Sequence, residues 1–245
     1  MFGHFTMGRI LGIPVRLHRS LVWVGLALAL FASLDAGLSA GLVQLALITA
    51  VFTIVLLHEL GHSVAALAQG IRTHDITLYP FGGVARLERL PREPRREILI
   101  ALAGPAVNFV LAGLLALVHV LLGPSPLDVL LWINLGLGVF NLLPGFPMDG
   151  GRVLRALLAT RLPHARATLI AGRVGRAVAV ALGFLGLLWA YPTMVLVAVF
   201  VWLAAGTEMR AAALEERASR SPWSGLFRRP PAGSGQDAPP PQATV

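Results

Sequence analysis

Long apolar stretches alternate with short polar connections along the chain, and this alternation predicts its architecture before any single residue does. The apolar runs cover Leu21 to Leu34, Leu42 to Leu67, Ile98 to Leu122, Leu127 to Leu143, Ala177 to Ala190 and Met194 to Gly206. A helix needs roughly 20 residues to cross the hydrocarbon of a bilayer. The second, third and fourth runs meet that length and the others are short. The pattern therefore predicts an all-α polytopic membrane protein with about six transmembrane helices. Two segments read differently. "GRILGIPVRLH" near the amino terminus has the look of an ordered extended segment, and "ITLYPFGGVARLE", Ile76 to Glu88, alternates around Gly82-Gly83 as a hairpin does.

The polar connections give the expected sidedness. Arginines fill the segment before the first run (Arg9, Arg16, Arg19) and the loop from Gln69 to Glu97, and they return from Arg152 to Arg176 and from Arg210 onward. The intervening connections "DAGLSA", "GPSPLD" and "AYPT" contain none. Basic residues concentrate in cytoplasmic loops, so six crossings would leave both termini in the cytoplasm. The division expected is an amino-terminal cytoplasmic segment at 1–19, a membrane core at 20–206 and a cytoplasmic tail at 207–245. The Pro, Gly, Ser and Gln composition predicts disorder in that tail from about 221. The first run also resembles the core of a secretory signal, with "LSA" near a cleavage site, but the long ordered-looking segment ahead of it favours a retained helix.

Composition narrows the chemistry. The mean hydropathy is +0.74 and 56% of the 245 residues are hydrophobic, which agrees with a membrane protein. The formal charge of +8 comes from arginines scattered between apolar runs rather than along one face, so no nucleic-acid partner is expected. There is no cysteine, so any metal must be held by His, Asp or Glu.

Inside the second run, "LLHELGHSVAAL" places His58, Glu59 and His62 in an H-E-x-x-H. On a helix, positions i and i+4 share a face, so both imidazoles can reach one zinc ion while Glu59 approaches a water beside it. Ionisable groups at membrane depth cost several kcal/mol unless paired or hydrated, and three together need a common cause. The alternative is a polar helix contact, with the histidines bonded to neighbouring groups.

A catalytic zinc usually takes three protein ligands. Of the twelve carboxylates, Asp35 and Asp128 fall at the outer ends of runs and most others lie in arginine-rich loops or the tail, which leaves Asp149. Its surroundings, "NLLPGFPMDGGRVLRALL", break the fourth helix at Pro144, Gly145 and Pro147. Irregular backbone at membrane depth is tolerated only against protein or a water-filled cavity. A simple kink with Asp149 as a helix cap is the competing reading. His4, His18, His74 and His164 are expected in solvated loops or ends, and His119 near the outer end of the third run.

HELGH in one helix, "ALAGPAVNFVLA" in the next and "NLLPGFPMDGGR" in the one after together resemble the site-2 proteases, intramembrane zinc metalloproteases, over Gly8 to Gly206. The resemblance implies one Zn2+ per chain held by His58, His62 and Asp149, with Glu59 activating water. It further implies that Asn108 and Asn141 hold substrate backbone or donate to the developing oxyanion, although a membrane Asn also serves as packing glue between helices. The hairpin would lie near the active site on the cytoplasmic side. The implied partners are the lipid bilayer and a transmembrane protein substrate already trimmed by another protease, in a bacterial plasma membrane. No PDZ insertion or CBS pair is recognisable. Two other functions remain to be weighed, a divalent-metal transporter and a catalytically silent relative that binds membrane helices.

Overall fold

The computed structural model describes residues 3–89, 91 and 93–220. It contains four strands, β1 (His4–Ile10), β2 (Ile13–His18), β3 (Thr73–Tyr79) and β4 (Gly82–Leu87). Seven helices accompany them: α1 (Arg19–Ala36), α2 (Leu38–Ala68), α3 (Pro94–Leu122), α4 (Asp128–Asn141), α5 (Asp149–Ala159), α6 (His164–Leu188) and α7 (Pro192–Arg220).

Among the described residues five helices, α1, α2, α3, α6 and α7, are long and apolar enough to cross a membrane, and α4 is a shorter apolar helix. The chain is an integral membrane protein. The expectation of about six helices and a small sheet holds, with different boundaries at the carboxy-terminal end. Helix α6 starts at His164, well before the apolar run at Ala177, and α7 continues past Gly206 to Arg220. Hydropathy misses these extensions because the helix does not stop where its side chains become polar. Arg173 is exposed, and the Arg176 guanidinium stacks over Trp202 of α7 at 4.7 Å. The tail expected to be disordered from about 221 lies outside the described residues.

The extended segment before α1 is a β-hairpin turning through Leu11 and Gly12, both at positive φ. The sheet order is β1-β2-β3-β4, with β1/β2 and β3/β4 antiparallel and β2/β3 parallel. Its parallel pair is joined by the α1–α2 hairpin, so two membrane helices are inserted between neighbouring strands. Gly37 connects them, at φ 88 with its N–H on the Ser33 carbonyl, a left-handed termination that suits glycine. His18 is not a free solvated residue: its Nδ1 accepts from the Ser20 N–H at the start of α1, and its ring packs 4.9 Å from Tyr79.

Helix α2 has 31 residues, about 46 Å at 1.5 Å each, and so outruns a hydrocarbon layer of about 30 Å. The sheet covers the end carrying HELGH. Leu60 packs there with Ile13, Leu21, Ile76 and Leu78. Within the sheet, Asp75 is buried and is held by Arg86 on β4 and by Arg16 on β2, the latter at 3.0 Å. The hydrogen-bonded Arg86 guanidinium keeps the Asp75 carboxyl below the usual carboxylate range. A folded value below the unfolded one means that this pair stabilises the protein above about pH 3.9 and ceases to do so as pH falls through the folded value. Asp75→Asn should therefore cost about 1 kcal/mol near neutrality, discounted because Arg86 is exposed, and flatten the acid limb of a thermal-unfolding series in detergent.

Candidate metal centre

Helix α3 crosses α2 at Gly61, the glycine of HELGH. A Cβ there would lie 2.8 Å from the Ala103 carbonyl oxygen and from Val107 Cγ2. Small residues at such crossings let helix backbones approach closely in a membrane. One turn away, a Cβ at Gly104 of α3 would collide with the His62 ring and sit 2.8 Å from His58 Nε2. The missing side chain at Gly104 is the space into which the two imidazoles project.

The third arm comes from the break after α4. The backbone from Leu142 to Met148 is irregular, but it is packed against protein: the Phe146 N–H donates to the Ala171 carbonyl of α6 at 3.2 Å, and Gly145 lies against Gly175. Helix α5 then starts at Asp149, aiming that carboxylate at α2. His58 Nε2 and His62 Nε2 lie 3.2 and 3.1 Å from Asp149 Oδ2 and 3.1 Å from each other, and all three side chains are buried. The structure thus brings together the three residues expected as ligands, drawn from two helices 87 and 91 positions apart.

Their outer atoms decide what this point can hold. His62 Nδ1 donates to the Ile100 carbonyl at 2.7 Å, and His58 Nδ1 donates to Asn108 Oδ1 at 3.1 Å. A carbonyl oxygen only accepts, so each ring proton belongs on Nδ1 and each Nε2 carries a lone pair. Two lone pairs and a carboxylate oxygen then face one another with no proton between them, an arrangement that needs a cation. Three such donors, hard and borderline, fit zinc. Bonds of 2.0–2.1 Å in a tetrahedral shell leave neighbouring donors about 3.4 Å apart, close to the separations found.

Glu59 is half-buried and faces the sheet. A Cβ at Gly83 of β4 would fall 2.5 Å from Glu59 Cγ and 3.0 Å from its Oε1, so the edge strand lies directly on this carboxylate. The two asparagines differ. Asn108 is fully buried, its oxygen is engaged by His58 and its Nδ2 has no partner among the described residues. Asn141 turns back on its own helix, donating to the Leu137 carbonyl at 3.0 Å, and no hydrogen bond joins it to the cluster among the described residues.

With this geometry in place, comparison with known proteins becomes decisive. The family model described as peptidase family M50 matches residues 46–128 and 123–182. The chain belongs to that family. Within it, a zinc metalloprotease of Methanocaldococcus jannaschii is 37% identical over 215 residues, covering 84% of this chain and 61% of the relative. A putative zinc metalloprotease of Synechocystis is 37% identical over 240 residues, covering 89% and 62%. The chain thus spans about three-fifths of the length of these relatives. The solved site-2 protease of M. jannaschii superposes with a TM-score of 0.67 at 34% identity, over 84% of this chain and 95% of that one. The cofactor implied for this M50 chain is zinc, in agreement with the donor set.

Sequence reasoning missed Ile100 and Glu97 behind the ligands. Glu97, read as the end of an arginine-rich loop, lies in the first turn of α3, buried and paired with Arg155 of α5 through both Nε (2.7 Å) and Nη2. Glu97, Ile100, Gly104 and Asn108 share one face of α3, at spacings of three and four. Continuing the helical period back from "GPAVN" would have found them. Outer partners of metal-ligating histidines typically account for 10- to 100-fold in metal affinity. Asn108→Ala should weaken zinc retention by about that factor in a chelator competition, while Asn108→Asp, which keeps the acceptor, should lose less. Glu97→Gln leaves Arg155 buried against a neutral partner and should destabilise the fold by about 3 kcal/mol.

Proposed function

We propose that this chain is an intramembrane zinc metalloprotease that hydrolyses peptide bonds in or near the transmembrane segments of other membrane proteins. The observation that carries the reading is the convergence of His58, His62 and Asp149 beside Glu59, inside a bundle of membrane helices. His58, His62 and Asp149 would hold the zinc, which would polarise the scissile carbonyl and make the attacking water more acidic. Glu59 is the general base: it accepts the proton of the attacking water and passes it to the nitrogen of the departing amine as the C–N bond breaks. Asn108 is a positioning residue: its Oδ1 accepts from His58 Nδ1 and fixes the tautomer that leaves Nε2 free for a metal.

The sheet supplies the third requirement. A helical substrate hides its peptide bonds in its own hydrogen bonds and must unwind before attack. β4 is the edge of the sheet and lies on Glu59 through Gly83, so its free edge can pair with an extended substrate. The substrate class is a single membrane-spanning protein already shortened by another protease, in a bacterial plasma membrane. The arginine pattern supports cytoplasmic termini. A transport function finds no support, since among the described residues His58, His62 and Asp149 are the single group of metal-donor side chains rather than the first of a series across the bilayer.

Cleavage of a single-span substrate in liposomes, at matched zinc content, should fall at least about a hundredfold on Glu59→Gln. Equal cutting by the two proteins would sink the assignment of Glu59. Replacing helix-breaking residues near the scissile bond of the substrate with leucine should slow the wild type; an unchanged rate would mean that local unwinding is not limiting.

A further inference from the structure

Asp149 opens the shortest of the seven helices, and residues that are not ligands hold it in place. Ahead of it, Phe146 and Met148 are each 2% exposed. Phe146 packs against Ala171 of α6 and Ala205 of α7, and Met148 against Ala179 of α6 and Val201 of α7. Gly175 lies midway between the two contacts on α6. A Cβ at Gly175 would collide with the Phe146 carbonyl oxygen, and the Phe146 N–H already bonds the Ala171 carbonyl at 3.2 Å. The chain leading to the ligand is therefore seated backbone on backbone, in a notch of α6 that a side chain at Gly175 would fill.

Arg155 of α5 holds the ring of the same residue. Its guanidinium carbon stands 5.1 Å from the centroid of Phe146, while its Nε and Nη2 both donate to one oxygen of Glu97 on α3. Arg155 and Glu97 are buried, so water weakens neither the ion pair nor the stack over the ring. From Asp149 to Arg155 is six residues of α5, about 9 Å, and from Gly104 to Glu97 is seven residues of α3, about 10 Å. The imidazoles project into the space at Gly104, so the carboxylate and the ion pair fasten α5 at two points whose spacings match. A ligand that is in place for only a fraction of the time loses affinity in proportion to that fraction.

We propose that Phe146, gripped by Arg155 and seated on Gly175, is the positioning residue for Asp149, and that this grip sets how tightly the centre holds its metal. The inference rests on Asp149 being a ligand. It adds that α6, which supplies no ligand, and α3, through Glu97, fix where that ligand meets the two histidines.

The full chain in detergent, stripped of metal and titrated with zinc against a chromophoric chelator, reads the grip directly. Phe146→Leu keeps an apolar side chain without the ring face, and Arg155→Lys keeps a charge for Glu97 without the planar stack. Each should weaken zinc binding about tenfold, and the double substitution should weaken it no further than either alone, because both break one contact. Gly175→Ala should weaken it at least as much. Gly183→Ala on the same helix, whose Cβ would meet Ala198 Cβ at 3.4 Å, should leave it unchanged. The visible spectrum of the cobalt-loaded Phe146→Leu protein should depart from that of the wild type, because the geometry of the ligands has changed. Thermal unfolding of the metal-free proteins separates a merely structural role. A lowered midpoint with zinc affinity and cobalt spectrum unchanged would overturn the proposal, as would additive losses in the double variant. Asp149→Ala tests the ligand reading by itself: zinc affinity unmoved by that change would remove Asp149 as a ligand. Affinity lost in Asp149→Ala but kept in Phe146→Leu and Arg155→Lys would leave the ligand and remove the grip.

Discussion

The two imidazoles of HELGH can offer lone pairs to a common point because α3 takes their other protons. Ile100 supplies a backbone carbonyl to His62 and Asn108 a side-chain oxygen to His58, and between them Gly104 leaves the volume that both rings occupy. Without those acceptors either ring could rotate or change tautomer, and a donor set at membrane depth would become a cluster of uncompensated polar groups. The same face of α3 carries Glu97, whose pair with Arg155 ties down the helix that begins at Asp149. A single stripe on one helix therefore orients ligands that belong to two others.

This dependence explains which parts of the site could be read in the sequence. HExxH is legible because its meaning lies in a spacing of four on one helix. Asp149 is legible because so few carboxylates occur away from the loops, and because Pro144 and Pro147 mark a break that a membrane tolerates only where it serves a cavity or contact. Glu97 was hidden by its neighbours: Arg95 and Arg96 give the segment the character of a loop, and only the fold shows that the carboxylate turns inward.

The fold shows a similar division. Membrane helices follow from local hydropathy, so α1, α2 and α3 fall close to the apolar runs, while α6 and α7 extend beyond theirs because arginines can continue a helix when they stack or remain solvated. Each hairpin of the sheet has a local signal in its turn. The parallel pairing of β2 with β3 has none, because Val15 and Ile76 are brought side by side by everything between them.

That pairing has a mechanical consequence. β2 ends at His18 and α1 begins at Arg19, so no slack separates strand from helix. α1 and β2 are one continuous segment, and β2 is linked through β3 to the strand that rests on Glu59. β2, with no loop between it and α1, thus joins a membrane helix to the sheet whose far strand covers Glu59.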